Sequence, residues 1–149
     1  MAIALGSNLG SREAHLAEAA QRIRAFVPDC RVSSAYETDY VGAGEAQPRY
    51  LNAAAVGHTD LPARQLLWAL LEIERSLGRS RPYPDAPRTL DLDLVLYGSQ
   101  VINEPDLVVP HPRFRQRRFV LEPLAEIAPD WHDPVTGHRI DELLRLLTF

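Results

Sequence analysis

Arg88-Thr89-Leu90-Asp91-Leu92-Asp93-Leu94-Val95-Leu96-Tyr97 is the run on which the folding of this chain turns. Successive side chains of a β-strand point to opposite faces. Leu90, Leu92, Leu94 and Leu96 therefore share one face, and Asp91, Asp93, Val95 and Tyr97 share the other. The leucine face predicts a strand packed on a core. The two aspartates lie about 6.5–7 Å apart at the backbone, two strand rises, and like charges so placed call for a compensating charge. Divalent cations with oxygen ligands are a common answer, so the strand reads as a metal platform for a phosphate substrate. On these residues alone a second reading stays open, a plain solvent-facing side of a half-buried strand, because short motifs match by chance.

Immediately upstream, Gly78 to Arg88 carries Arg79, Arg81 and Arg88 among Pro82, Pro84 and Pro87. Fixed proline φ angles limit how far such a loop collapses. Its arginines can meet the phosphate oxygens that face away from a metal on Asp91 and Asp93. All sixteen basic residues are arginine and none is lysine, which closes the Walker route to nucleotide binding, since that loop needs Gly-Lys-Ser/Thr. Arginine's planar fork suits phosphate and stays charged.

Earlier in the chain, Ala2 to Leu5 predicts a strand, Gly6 to Gly10 a turn, and Ser11 a helix N-cap before Leu16, Ala19, Ile23 and Phe26 at helical spacing. Arg31 to Thr38 reads as a second strand, followed by a loop from Asp39 to Arg49 with Tyr40 and Val41. Tyr50 to Val56 reads as a third strand, with Tyr50 and Asn52 neighbours on one surface. An amide there needs partners, because it offers two donors and an acceptor. Asp60, Leu61 and Pro62 start a second helix, whose buried stripe is Leu66, Leu70, Ile73 and Leu77, and Gly78 ends it. Glu74 falls near the negative end of that helix, a poor place for a carboxylate, so it is expected to have a partner, an arginine or a ligand hydroxyl.

Downstream, Val108-Val109-Pro110-His111-Pro112-Arg113 leads into Arg115, Arg117 and Arg118 and then a helix containing Phe119, Leu121 and Leu124. This dense basic entry to a helix can grip an anion; nucleic-acid contact is the rival use, though no interleaved aromatic platform accompanies it. Ile140 to Leu147 forms a short last helix. At 149 residues, 46% hydrophobic and 24% charged, the chain is expected to be one domain spanning 1–149. A lone Cys30 and the lack of a signal-like N-terminus suggest the cytoplasm. A net charge of −4 and a pI near 5.7 argue against a nucleic-acid partner. No run is long enough to cross a membrane, and a monomer is expected.

The element order strand, helix, strand, strand, helix, strand predicts an α+β ferredoxin-like sandwich, a mainly antiparallel four-stranded core sheet with helices packed on one face and an extra short C-terminal helix. Ala4-Leu5-Gly6-Ser7-Asn8-Leu9-Gly10, Tyr50-Leu51-Asn52-Ala53, Gly78-Arg79-x-Arg81, Ala86-Pro87-Arg88-Thr89-Leu90-Asp91-Leu92-Asp93 and Val109-Pro110-His111-Pro112-Arg113 together resemble the 6-hydroxymethyl-7,8-dihydropterin pyrophosphokinase family of folate biosynthesis. The resemblance implies transfer of pyrophosphate from ATP to the pterin hydroxymethyl group, with AMP released. It implies two Mg²⁺ ions on Asp91 and Asp93, and Arg79 and Arg88 as catalytic stabilisers of the phosphates. Thr38, Asp39, Val41, Tyr50, Asn52 and Phe119 would line the pterin pocket. Glu74, Arg79, Arg81, Arg88, Leu94, His111 and Arg117 would surround ATP, and Tyr83 is the aromatic available on the arginine loop.

Overall fold

The computed structural model describes residues 1–39, 49–78 and 89–147. Its centre is β1 (Ala2–Ser7), which pairs antiparallel with β4 (Tyr50–Val56) on one side and with β5 (Asp91–Leu96) on the other. Beyond β4 lie β2 (Arg31–Val32) and β3 (Tyr36–Thr38), both antiparallel to it. The sheet thus runs β2-β4-β1-β5, with β3 also on β4. The predicted strand from Arg31 to Thr38 is split in two. At the break Ser33 N donates to Ala54 O, and Ala54 N donates back to the Ser33 hydroxyl, each at 2.9 Å. A side-chain oxygen has replaced a main-chain acceptor, and the ladder stops there.

Helices cover both faces of this sheet, where the sequence predicted cover on one. On the first face α1 (Arg12–Ile23) buries Leu16, Ala19 and Ile23, and α2 (Ala63–Ser76) buries Leu66, Leu70 and Ile73, against Ile3, Leu5 and Leu92. On the second, α3 (Arg118–Ile127) and α4 (Ile140–Leu146) pack against Ala2, Ala54, Val56 and Val95. The reason is in β1 and β4, whose residues are apolar on alternate sides alike, and a sheet apolar on both sides needs two covers. Gly78, at φ +83°, terminates α2 as expected. Ser11 stands at the N-cap of α1 without a side-chain capping bond.

The leucine alternation of β5 holds from Leu90 to Leu94 and then reverses. Ala2 pairs with Leu96 but Ile3 pairs with Leu94, so Val95 is an extra residue, a β-bulge. A one-residue slip exchanges faces. Leu96 accordingly joins Val95 in the second core, while Tyr97 turns to the first, where its hydroxyl donates to Leu61 O at 2.5 Å. A hairpin of β6 (Ile102–Glu104) and β7 (Leu107–Val109) follows where no strands were expected. It is tied to the start of α2 by Arg64, which bonds Glu104 and Asp106. The turn dipeptide Pro105-Asp106 was its sequence signal.

Candidate active site

The second face of the sheet changes character along its length. At one end it carries Ala2, Val56 and Val95; at the other the register aligns Tyr36, Asn52, Gly6 and Asp91 across four adjacent strands. Ala54, Ala4 and Asp93 form the next row. Small residues on the middle strand leave open floor between the amide and the carboxylates. A Cβ placed on Gly6 would lie 3.5 Å from Asn52 Oδ1 and 3.6 Å from Tyr50 Cδ1, so both side chains lean over that glycine.

Asn52 is 5% exposed, and its amide is used as the sequence required. Nδ2 donates to Thr38 Oγ1 at 2.7 Å and, at 3.4 Å, to the Tyr36 carbonyl. Those bonds leave Oδ1 directed toward Gly6. Thr38 faces Tyr50 in the β3–β4 register and bonds Asn52, so the structure brings these three residues together. Asp39, by contrast, is exposed and pairs with Arg49 at 3.1 Å. Phe119, half-buried at the start of α3, packs against the second core with the Arg117 guanidinium 5.5 Å from its ring centre.

Asp91 and Asp93 are both half-buried on this face. Between them, Leu92 sends its main-chain N–H to Glu74 Oε2 at 2.7 Å. Glu74 itself is 2% exposed. Leu94 is 5% exposed, its side chain committed to the first core, so only its backbone is available to a nucleotide.

His111 is held at the bulge of β5 by its own N–H, which donates to Val95 O at 2.9 Å. Burial pushes its pKa down to about 4; Arg117 and Arg113 push the same way, and Asp91 opposes them. The imidazole is therefore neutral at physiological pH, beside both Asp91 and Arg117. A neutral ring can donate to a phosphate oxygen from one nitrogen and accept at the other.

Two of the four clustered arginines are paired with acids. Arg115 forms a two-pronged bond to Asp133, one contact at 2.9 Å, and Arg118 pairs with Glu122 at 2.9 Å. Of that run, Arg117 stands nearest the site through Phe119 and His111. The predicted contacts Val41, Arg79, Arg81 and Arg88, with Tyr83, lie outside the described residues.

No group of three or more metal-binding side chains occurs among the described residues. Two aspartates on one strand fit Mg²⁺ all the same, because that ion commonly takes one or two carboxylates and completes its octahedron with phosphate oxygens and water. Two features escaped the sequence reading. One is Gly6 as the floor between amide and acid. The other is Glu126 of α3, which accepts from Tyr36 Oη at 2.5 Å and from Ser34 N at 2.9 Å, locking β3 to α3 across some ninety residues of chain.

Comparison with known proteins gives the family. Residues 2–129 match the family model "7,8-dihydro-6-hydroxymethylpterin-pyrophosphokinase (HPPK)". The chain is 44% identical over 142 residues to 2-amino-4-hydroxy-6-hydroxymethyldihydropteridine pyrophosphokinase of Bacillus subtilis, covering 94% of this chain and 84% of that protein. It is 41% identical over 150 residues to the protein of the same name from Pseudomonas aeruginosa, covering 99% and 91%. Among solved structures it resembles an HPPK-DHPS in complex with substrates, at TM-score 0.71 and 12% identity, over 97% of this chain and 42% of that one, a likeness of fold. On the match to the family model and the identity to these relatives, the chain belongs to the 7,8-dihydro-6-hydroxymethylpterin-pyrophosphokinase family.

Proposed function

We propose that this chain, acting as one domain, transfers the β,γ-pyrophosphate of ATP to the hydroxymethyl group of 6-hydroxymethyl-7,8-dihydropterin, with Asp91 and Asp93 holding two Mg²⁺ ions. The observation that carries the reading is the row Asn52–Gly6–Asp91. It sets a buried amide, suited to the donor and acceptor rim of a pterin, two strands from a metal-type carboxylate, about 10 Å at the backbone. A pterin resting on Gly6 between Asn52 and the Phe119 ring would point its side arm along the sheet toward the carboxylates.

In the reaction the hydroxymethyl group gives up its proton to solvent as its oxygen bonds to the β-phosphorus, the bond from that phosphorus to the α,β-bridging oxygen breaks, and AMP departs. Phosphoryl transfer of this kind depends mainly on positioning and charge stabilisation. Bound Mg²⁺ supplies charge neutralisation on the phosphates and lowers the pKa of a coordinated oxygen. Asn52 and Tyr50 orient the acceptor. His111 and Arg117 meet phosphate oxygens at the other end, and Arg79, Arg81 and Arg88 are assigned to the triphosphate by the family resemblance.

The nucleotide product tests the proposal. With ATP, pterin and Mg²⁺, AMP should form in step with pterin diphosphate, and chelation of the metal should stop it. Formation of ADP, release of free pyrophosphate with the adenylyl group passed to the pterin, or turnover unaffected by chelator would each overturn it.

A further inference from the structure

We infer that Glu74 is a positioning residue that fixes the two carboxylates of β5 by holding the peptide between them; the inference rests on the site reading given above. Among the described residues β5 ends the sheet, so its outward amides have no described strand to receive them. At Leu92 that place is taken by Glu74 Oε2, 2.7 Å from the amide nitrogen. Leu92 is the one residue separating Asp91 from Asp93, so a bond at its nitrogen restrains the Cα positions and the relative tilt of both acids.

Nothing about α2 favours a carboxylate at this point. Glu74 lies in the last turn of the helix, where the dipole opposes negative charge, and it is 2% exposed, which is costly for an ion. The bond to the Leu92 amide offsets part of both penalties. A charge-assisted bond to a backbone N–H is among the stronger neutral-to-ion contacts, and its reach spans helix to strand without moving either. Supporting groups of this kind govern metal affinity through the ligands they orient.

Three variants separate reach from charge. Glu74→Ala removes the acceptor, Glu74→Asp shortens the arm by one methylene, and Glu74→Gln keeps both an acceptor oxygen and the length. Two readouts apply: hydrogen exchange of the Leu92 amide in the free protein, and Mn²⁺ affinity in the presence of a non-hydrolysable ATP analogue. Glu74→Ala and Glu74→Asp should speed Leu92 exchange and weaken Mn²⁺ by about 10–100-fold, with kcat falling and the pterin KM held. Glu74→Gln should restore both readouts to within about threefold, as a retained acceptor predicts. Should Glu74→Ala fail to fold, the Asp and Gln variants decide. Wild-type Mn²⁺ affinity in Glu74→Asp, or a Glu74→Gln as impaired as Glu74→Asp, would overturn the inference. Absence of Mn²⁺ binding in the wild type would instead overturn the metal site itself, while Leu92 protection would still report on Glu74.

Discussion

Asn52 and Asp91 stand in the same row of the sheet, each opposite Gly6 and on either side of it. The amide and the acid come from strands separated by some forty residues, and the middle strand offers no side chain between them. Gly6 shows no left-handed backbone requirement, and a methyl there would make ordinary contacts of 3.5 and 3.6 Å. Gly6→Ala should therefore fold with nearly the wild-type Tm. It should raise the pterin KM by about tenfold, roughly 1.4 kcal/mol of lost binding, because the new methyl occupies the floor. An unchanged KM would place the pterin elsewhere.

Asp93 is half-buried on the second face of a strand whose Leu92 and Leu94 belong to the first core. Asp93→Asn preserves shape and removes a charge. Its melting curve should match the wild type, while Mg²⁺-dependent AMP formation should fall by about a hundredfold or more, as loss of charge stabilisation at a transfer site does. Substantial activity in a folded Asp93→Asn would contradict the role assigned to this strand.

Arg115, half-buried, bonds the buried Asp133 and so anchors the short turn before α3 to the loop before α4. Asp133 is fully buried. Burial alone would raise its pKa, but the Arg115 bond, the Val135 amide and the Thr136 hydroxyl outweigh it and hold the carboxyl at about 2. A carboxyl depressed below its unfolded value stabilises the fold above the unfolded pKa and loses that contribution as pH falls through the folded one. The window here runs from about pH 4 down to about pH 2. Asp133→Asn should cost about 3 kcal/mol at neutral pH, since it strands Arg115 against a neutral partner. The variant's unfolding free energy should also be flatter than the wild type's across that acid window, as denaturant titrations at stepped pH would show.

Glu126 and Tyr36 join α3 to the strand that supports Asn52. The carboxylate of Glu126 is held below the usual range chiefly by the Tyr36 hydroxyl and then by the Ser34 amide, and the same bond pushes Tyr36 up to about 12. Glu126→Ala should lower stability by only about 1 kcal/mol, the scale of an exposed hydrogen-bonded link. The pterin KM should rise with it, since the Tyr36 carbonyl and Thr38 hydroxyl that orient Asn52 sit on β3. A tyrosine titration returning toward the ordinary range near 10 in Glu126→Ala would verify the contact itself.

What the sequence determined by itself was local. Strict alternation in Leu90 to Leu94 placed both acids on one side of a strand, helical spacing located α1 and α2, Gly78 marked a helix end, and the missing lysine excluded a Walker-type loop. Tertiary structure decided everything that depended on neighbours distant in the chain. The bulge at Val95 sent Leu96 and Tyr97 to faces that alternation had reversed, because pairing with β1 and not the period of β5 sets register there. Glu74 meets the Leu92 main-chain amide, a partner that its place on α2 did not announce. Arg115 left the basic cluster for Asp133, and helices came to lie on both sides of the sheet. Residue type and spacing carry the direction of a side chain along its own element, but the partner it meets depends on which elements pack together, and that is settled by burial over the whole chain.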